Sequence, residues 1–575
     1  MIRILRFLKP YYILVILGMA VLFGQAMAEL NLPNLMSDIV NKGMIQGDMN
    51  MIYSTGVKML WVALGSTTAA IAASFLAAHL ALGFGRDVRN AVFTKVEHFA
   101  IHEFESIGTA SLITRTTNDI IQVQQVLLMG FRFLLYSPIM CVGGVIMALS
   151  KDKPLALILV VAVPVQLIII IIMASVVLPY FTSMQKKIDN LNLTLRESLT
   201  GIRVIRAFNK MEHEKKRFTK ANRELTDVSI FVNKAMALLM PVVMLIFNGT
   251  SLAIIWFGGL RISRMQSQLG DMMAFMQYAM QIMMSVMMVA MMFVMVPRAQ
   301  ASAKRINEVL DMKDEITDPA HPKAPQAKTA AVEFKNVVFS YPGAENPVLS
   351  DISFASSAGE TTAIIGGTGS GKSTLVGLIP RFYDVTGGSV TVDGVDVRDM
   401  TQQDLRSRIA FVPQGPILFS GTVNENIKFS KKDATQEEIY EAARIAQAFD
   451  FVSNMPEGFD SAVAQGGSNV SGGQKQRLSI ARAIVRRPEV YVFDDSFSAL
   501  DFKTDAALRA ELKKVTGEAT VFIVAQRISS IMDADRIVVL NEGRVVGIGK
   551  HRELMDTCSV YREICTSQLT EEELA

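Results

Sequence analysis

Long apolar runs alternate with polar connections over the first 300 residues, and this alternation stops near residue 300. The six apolar runs lie at roughly 11–36, 56–84, 128–149, 155–178, 237–262 and 268–297. Each approaches or exceeds the ~20 residues that a helix needs to cross a bilayer. Because lipid cannot hydrogen-bond the backbone, a helix is the conformation expected for every run. The pattern predicts an all-α polytopic membrane domain with six transmembrane helices over residues 1–316.

The connections between these runs differ in length. Those after the first, third and fifth runs are short, whereas those after the second and fourth are long and helical in pattern, as in "TLRESLTGIRVIRAFNKMEHEKKRF". The long connections predict helical extensions on one side of the membrane. The N-terminal "MIRILRFLKPYY" places a basic residue at every third position, which predicts a short helix in the membrane interface and a retained entry into the membrane.

The distribution of basic residues indicates which side faces the cytoplasm. Most basic residues outside the runs fall on the side of the N-terminus, which the positive-inside rule assigns to the cytoplasm. We therefore expect a multi-pass protein of the cytoplasmic membrane whose N-terminus and C-terminal domain are cytoplasmic. The exceptions on the opposite side are Lys151, Lys153, Arg261 and Arg264.

The pattern changes after the last run. The Pro- and Ala-rich "TDPAHPKAPQAKTAA" (317–331) is typical of a linker. From "VEFKNVVFSY" onward, strand-like and helix-like pieces alternate, which predicts an α/β domain over residues 332–575. A chain of 575 residues with 50% hydrophobic residues suits this division into a membrane part and a soluble part.

Charge and cysteine content exclude two classes of protein. A net charge of +3 is too small to indicate a nucleic-acid partner. The three cysteines are not spaced as zinc ligands, and they do not suggest a disulfide framework.

The segment "IIGGTGSGKST" (364–374) fits G-x-x-x-x-G-K-[ST] between a predicted strand and a predicted helix. Its glycines allow backbone N–H groups to surround phosphates, and the helix N-terminus favours negative charge. Lys372 is expected to contact the β- and γ-phosphates and Ser373 to bind Mg²⁺. The loop residues predicted to bind ATP are Gly366, Thr368, Gly369, Ser370, Gly371, Lys372, Ser373 and Thr374.

Two further segments carry candidate chemistry. The apolar strand "VYVFDD" (490–495) ends in Asp494, placed to hold the Mg²⁺ shell, and Asp495, placed to polarise an attacking water. The stretch "NVSGGQKQRLSIARAI" (469–484) has a Ser-Gly-Gly step opening a basic helix, which is either a second phosphate-binding terminus or a plain helix cap.

Taken together, these motifs resemble the nucleotide-binding domain of ATP-binding cassette (ABC) proteins, and the first 300 residues resemble the six-helix membrane half of ABC exporters. The resemblance implies that Tyr341 stacks on adenine, that Gln414 senses Mg²⁺, and that "SALD" (498–501), with Asp501, crosses between subunits. It implies a half-transporter in which each ATP lies between one chain's phosphate loop and the other chain's signature. The signature residues here are Ser471, Gly472, Gly473 and Gln474.

This chain departs from the family pattern at its candidate catalytic residues. The family usually has Glu at position 495 and His at position 526, but the chain has Asp495 and Gln526. Asp is one methylene shorter than Glu, and a misplacement of about 1 Å can cost roughly a hundredfold in rate. Gln has no cationic form and a different reach from His. The chain's own site is therefore expected to bind ATP but to hydrolyse it slowly.

An intact signature beside a weakened catalytic position predicts a heterodimer, because the signature acts on the other chain's ATP. The alternative is a homodimer that tolerates two slow sites. We expect this chain to resemble the degenerate-site subunit of bacterial heterodimeric multidrug exporters, with ATP and Mg²⁺ as cofactors.

The cargo is less strongly indicated. Methionines of the sixth run form a stripe suited either to varied apolar ligands or to packing, namely Met273, Met276, Met280, Met284, Met287, Met291 and Met295. Gln277 and Gln281 interrupt that run, and Glu29 in the first run could pair with cationic substrates or be solvated at the outer mouth. We expect a hydrophobic or cationic small-molecule substrate. The alternatives are a lipid or peptide exporter half, or a regulatory or channel-like membrane protein that binds ATP.

Overall fold

The chain divides into two compact units. The computed structural model describes residues 3–325 and 331–569, except for the side chains of Phe293 and Val294. One unit contains Met1–Glu97 and Thr109–Met312, and the other contains His98–Gly108 and Lys313–Ala575. Part of the predicted linker, residues 326–330, lies outside the described residues.

The first unit is entirely helical. A 3-10 helix, Ile4–Tyr11, leads into α1 at the place where a short helix was predicted. A π-helical segment, Ile39–Met44, continues α1 at its other end. The helices of this unit are α1 (Tyr12–Asp38), α2 (Met49–Glu97), α4 (Thr109–Thr116), α5 (Asn118–Lys151), α6 (Lys153–Thr200), α7 (Ile202–Ala207), α8 (Met211–Ser263) and α9 (Leu269–Asp311); α3 (Ile101–Ile107) belongs to the other unit. Within the described residues, six helical stretches are long and apolar enough to cross a membrane. The predicted six-helix membrane domain is confirmed.

Two of the four basic residues that do not follow the charge rule have acidic partners. Lys151, at the end of α5, lies 3.0 Å from Asp271 at the start of α9. Arg261, in the last turn of α8, lies 2.9 Å from Asp152, which precedes α6. Because these cations are neutralised locally, they contribute little to a charge difference across the membrane.

The second unit is built on three sheets. Its strands are β1 (Val332–Phe339), β2 (Leu349–Ser356), β3 (Thr361–Gly366), β4 (Gly387–Val392), β5 (Val395–Asp396), β6 (Ile409–Val412), β7 (Gly421–Thr422), β8 (Ala462–Val463), β9 (Val490–Asp494), β10 (Thr520–Val524), β11 (Arg536–Asn541) and β12 (Arg544–Gly549). The largest sheet has the order β12-β11-β3-β10-β9-β6 and is parallel except for β12. A four-stranded antiparallel sheet, β2-β1-β4-β5, and a short pair, β7-β8, complete the strands.

Helices cover both faces of the largest sheet. They are α10 (Lys372–Gly377), α11 (Gln402–Ser407), α12 (Val423–Lys428), α13 (Gln436–Ile445), α14 (Phe449–Ser453), α15 (Gly472–Ile484), α16 (Phe502–Val515), α17 (His551–Thr557) and α18 (Ser559–Gln568). Along β3, Ile364 packs into one hydrophobic core while Ala363 and Ile365 pack into the other. A parallel strand buried on both faces reads as a continuous apolar run, as "TTAII" does. The predicted α/β domain is confirmed.

Candidate nucleotide site

The register of three strands brings the candidate chemistry to one edge of the sheet. Val524, the last residue of β10, pairs with Asp494 of β9 on one side and with Ile364 of β3 on the other. In an open parallel sheet, ligands bind beyond the carboxyl ends of the strands. The phosphate loop, the two aspartates and Gln526 all follow these strand ends.

The phosphate loop has the backbone conformation that its glycines allow. Gly369 and Gly371 have φ angles of +82° and +93°, in a region that other residues rarely adopt. A Cβ on Gly366 would lie 2.1 Å from the carbonyl oxygen of Leu540, and a Cβ on Gly371 would lie 2.7 Å from Leu349. Neither position has room for a side chain.

Polar groups of the loop are arranged for a phosphate ligand. Lys372 Nζ donates to the carbonyl oxygens of Gly366 and Gly367, at 3.0 and 2.8 Å. Burial lowers the pKa of the Lys372 amine, and the carboxylates of Asp494 and Asp495 oppose this effect. The buried Ser370 hydroxyl has no hydrogen-bond partner among the described residues. A hydroxyl without a partner and a lysine bonded only to loop carbonyls both fit a loop that binds an anion.

The predicted Mg²⁺ ligands lie beside this loop. Ser373 Oγ donates to Asp494 Oδ1 over 2.9 Å, and the Asp494 side chain is buried. Burial raises the pKa of the Asp494 carboxyl, and its bond from Ser373 opposes the rise. A hydroxyl, a carboxylate and the amide of Gln414 are oxygen ligands that suit Mg²⁺, which usually takes few protein ligands beside water and phosphate. These few oxygen groups fit Mg²⁺ bound together with a nucleotide. Among the described residues, no group of three or more His, Cys, Asp or Glu could hold a metal.

The structure brings both candidate catalytic residues into contact. Gln526 Nε2 donates to Asp495 Oδ2 over 2.8 Å, and Gln414 Nε2 donates to the same oxygen over 3.1 Å. Asp495 has a φ angle of +48°, so the chain turns sharply directly after β9. Burial raises the pKa of the Asp495 carboxyl, and the Gln414 amide opposes this rise. The carboxylate is thus bonded by two neutral amides.

Tyr341 lies next to the end of the phosphate loop. Its hydroxyl is 2.9 Å from Thr374 Oγ1, and its ring packs edge-on against Phe339 and Tyr383. Thr368 is exposed at the tip of the loop. The aromatic ring and the loop therefore form one surface.

The signature residues are on a separate element from the phosphate loop. Ser471 caps α15: its hydroxyl accepts from the backbone N–H of Gln474 (3.3 Å), and Gln474 Oε1 accepts from the N–H of Ser471 (2.9 Å). Gly472 is open to solvent, and a Cβ on Gly473 would lie 3.2 Å from the carbonyl oxygen of Ala499. Asp501 caps α16 by accepting from the N–H of Thr504 over 3.0 Å. Among the described residues, no hydrogen bond joins these side chains to residues 366–374.

Sequence reasoning missed three residues that connect these parts. Gln476 accepts from the N–H of Ala499 over 3.2 Å and donates to the carbonyl oxygen of Asp495 over 3.4 Å. Arg527 donates to the carbonyl oxygen of Ser498 (3.0 Å), and Gln568 donates to that of Gln526 (2.8 Å). Gln476 lies in a basic helix and Gln568 beyond the motifs, so no local pattern indicates either.

The fold and the loop define a membrane-spanning protein with a P-loop nucleotide-binding domain. Residues 15–286 match the family described as "ABC transporter transmembrane region", and residues 349–498 match "ABC transporter". The chain belongs to the ABC transporter family.

Relatives match over nearly the whole chain. An uncharacterized ABC transporter ATP-binding protein of Mycobacterium tuberculosis is 43% identical over 98% of this chain and 97% of its own length. Another uncharacterized ABC transporter ATP-binding protein, from Bacillus subtilis, is 36% identical over 99% of each chain. A protein named fatty acid ABC transporter ATP-binding/permease protein, from Mycobacterium bovis, is 34% identical over 83% of this chain and 75% of its own length. A solved bacterial Atm1-family ABC exporter with ATP bound has the same fold, with a TM-score of 0.79, 24% identity and 98% coverage of both chains.

Proposed function

We propose that this chain is one half of a heterodimeric ABC exporter of the cytoplasmic membrane, with a slow ATP site on its own phosphate loop. ATP and Mg²⁺ are its cofactors, and its N-terminus and nucleotide-binding domain are cytoplasmic. The observation that carries the proposal is the Asp495 carboxylate, whose Oδ2 accepts from the amides of both Gln414 and Gln526.

Two features of this arrangement favour slow hydrolysis. A general base must reach the proton that it takes, and the shorter Asp side chain retracts the carboxylate from the place where the usual Glu would end. The Gln526 amide uses one of the acceptor positions of the Asp495 carboxylate, and unlike the usual His it cannot become a cation. Bound Mg²⁺ would neutralise charge that develops on the phosphates. Ser373, Asp494 and Gln414 would hold it, so nucleotide binding is retained.

The signature residues support different roles for the two chains in ATP hydrolysis. Ser471, Gly472 and Gly473 lie at the start of α15, where Ser471 and Gln474 form a complete capping box. In the proposed heterodimer this terminus completes the site on the partner's phosphate loop, and the partner supplies the effective catalytic carboxylate there. ATP binding would close the two nucleotide-binding domains, and hydrolysis at the competent site would reset them.

Amphipathic or hydrophobic compounds are the cargo that we propose, of the kind moved by multidrug exporters. Gln277, Met280, Met284 and Met291 are exposed on one face of α9, whereas Met287, which belongs to the same predicted stripe, is buried. Flexible methionine side chains suit a surface that accepts varied apolar ligands. A lipid substrate is the second candidate, because one relative carries the name of a fatty acid transporter.

The test is to restore the usual catalytic pair. The complex is purified from its native membrane through a tag on this chain, as wild type and as Asp495→Glu, Gln526→His and the double variant. We expect the double variant to raise the ATPase activity of the complex by up to about twofold, because the partner's competent site already hydrolyses ATP and only the misplaced base of the slow site is repaired. Gln526→Ala is the matched control, and it should leave the rate near that of wild type because it removes an amide without adding an imidazole.

The outcomes separate the competing interpretations. If no variant raises the rate, the account of the slow site is wrong. A complex that contains only copies of this chain would exclude the heterodimer. Vesicles that hydrolyse ATP without moving an amphipathic fluorescent probe would favour a regulatory or channel-like role.

A further inference from the structure

The acidic residue in the first span has its hydrogen bonds satisfied within the membrane unit. Glu29 Oε1 accepts from Gln25 Nε2 over 2.9 Å and from Ser66 Oγ over 3.2 Å. The hydroxyl of Tyr136 donates to Glu29 Oε2. These donors come from α1, α2 and α5, and Gln25 is almost fully buried. Glu29 is therefore part of a packed polar network, and it is a poor candidate for the direct ligand of a cationic substrate.

A pocket of about 420 Å³ lies next to this network, between α1, α2 and α5. Small side chains of α2, Ala70, Ala73, Ser74 and Ala77, line one wall. Leu22 and the aromatic rings of α5 line the other walls. The volume is near the lower end of the range for small-molecule sites, about 300–1,000 Å³, and suits a single-chain amphiphile better than a two-chain lipid.

Arg132 is the one charged side chain that lines this pocket. It lies four residues before Tyr136 on α5, on the same helix face. Its side chain is exposed, and among the described residues it has no hydrogen bond or ion pair. A Cβ on Gly18 would lie 2.5 Å from the ring of Phe131, so Arg132 is level with a point about 9 Å along the α1 axis from Tyr12, at the ~1.5 Å rise per residue of a helix. That distance is within the ~30 Å hydrocarbon layer of a bilayer.

An arginine that lines a pocket inside the hydrocarbon layer, and that forms no ion pair with any described residue, is suited to a ligand of opposite charge. Charged residues inside the membrane usually pair with one another or face a cavity that binds substrate or ions. Glu29 already accepts from three uncharged donors, and within the part of the chain that the structure describes no ion pair links it to Arg132. A guanidinium matches the geometry of a carboxylate and can bind it with two parallel hydrogen bonds.

We propose that this pocket binds the head of a single-chain anionic amphiphile, a long-chain carboxylate, with Arg132 on the carboxylate and the acyl chain along the alanine-lined wall of α2. The inference rests on the proposed export function and specifies its substrate class as anionic. It disfavours one of the two roles considered for Glu29, the pairing with cationic substrates.

Binding of radiolabelled palmitate to the purified complex tests the proposal. Arg132→Gln should weaken palmitate binding roughly tenfold or more, because the neutral amide removes the charge-assisted hydrogen bonds to the carboxylate. Arg132→Lys should retain part of the binding, since it keeps the charge. Ala77→Leu, which fills the pocket, should weaken palmitate and hexadecanol alike, whereas Arg132→Gln should leave hexadecanol unaffected. Glu29→Gln is the matched control, and it should leave palmitate binding unchanged.

Two results would overturn the site. One is equal palmitate affinity in Arg132→Gln and wild type; the other is a hexadecyltrimethylammonium affinity that depends on Glu29 and exceeds that for palmitate. Retained hexadecanol binding, measured in the same samples, verifies that the membrane unit of Arg132→Gln is folded. A failed palmitate test with a normal ATPase response to Asp495→Glu and Gln526→His would refute the substrate class alone, and the reverse pattern would refute the slow-site account alone.

Discussion

At the scale of single residues, backbone geometry makes the phosphate loop sensitive to changes as small as one methyl group. Gly371 has a φ angle of +93°, and a Cβ added to it would lie 2.7 Å from the side chain of Leu349. Gly367, four residues earlier, has open space around the position of its missing Cβ. The two glycines share one loop but differ in what they tolerate, and this difference provides a matched experiment.

We predict that Gly371→Ala abolishes measurable ATP binding, whereas Gly367→Ala reduces it only slightly. An unfavourable φ angle costs about 1–3 kcal/mol, and the clash with Leu349 adds to that cost. The measurement is the affinity of the purified protein for a fluorescent ATP analogue, with thermal unfolding as the control for folding. Equal affinities in the two variants would show that the loop adopts another conformation when ATP binds.

The parts of the site that sequence predicted are local in the chain. Lys372 follows Gly371 directly, and Asp494 and Asp495 are neighbours, so spacing alone indicates their chemistry. The bond from Gln526 to Asp495 joins residues 31 apart, and the bond from Gln414 joins residues 81 apart. The family resemblance implied roles for both glutamines, but only the fold shows that their amides contact the same oxygen.

At the scale of elements, one aspartate near the membrane boundary both caps a helix and forms an ion pair with a second helix. Asp152 caps α6 by accepting from the N–H of Leu155 over 3.2 Å, and its other carboxylate oxygen accepts from Arg261 of α8 over 2.9 Å. The Asp152 side chain is 3% exposed, compared with 29% for Asp38, which pairs with Lys42 on a single helix.

We expect Asp152→Ala to destabilise the membrane unit by about 2–4 kcal/mol, because it removes a helix cap and leaves Arg261 without its buried partner. Asp152→Asn should be intermediate, since Asn also caps helices but carries no charge. Asp38→Ala should cost less than about 1 kcal/mol, as partly exposed pairs do. Thermal unfolding of the purified variants in detergent gives the order of their stabilities. If Asp38→Ala is as destabilising as Asp152→Ala, burial is not what determines the effect.

Apolar runs located the membrane helices but not their ends. The second run was predicted at 56–84, whereas α2 extends over Met49–Glu97, 49 residues and about 74 Å at the rise of an α-helix. The polar extensions form helices through packing against other elements, and hydrophobicity does not report such contacts. The short helices α3, α4 and α7 were not predicted individually for the same reason.

At the scale of the whole molecule, the order of elements along the chain differs from their grouping in space. Residues 98–108, between α2 and α4, belong to the nucleotide-binding unit. The carboxylate of Glu103, in α3, accepts from the N–H of Ala100 over 2.7 Å and from the N–H of Glu315 over 2.8 Å. Because Ala100 lies in the same segment, it is the bond from Glu315 that ties residues 98–108 to the remainder of the nucleotide-binding unit.

This arrangement predicts that Glu103 contributes more to the coupling of ATP hydrolysis to export than to the binding of the nucleotide. Glu103→Ala leaves two N–H groups without their acceptor, at about 1–3 kcal/mol for each that stays buried, and loosens the segment that α2 and α4 share with the other unit. ATP affinity should stay within about twofold of wild type, a change below ~0.5 kcal/mol. The amount of amphiphile exported per ATP hydrolysed should fall clearly. Glu105→Ala, on the same helix but exposed, is the control that should preserve this ratio. An unchanged ratio in Glu103→Ala would mean that the segment transmits the nucleotide state without these two bonds.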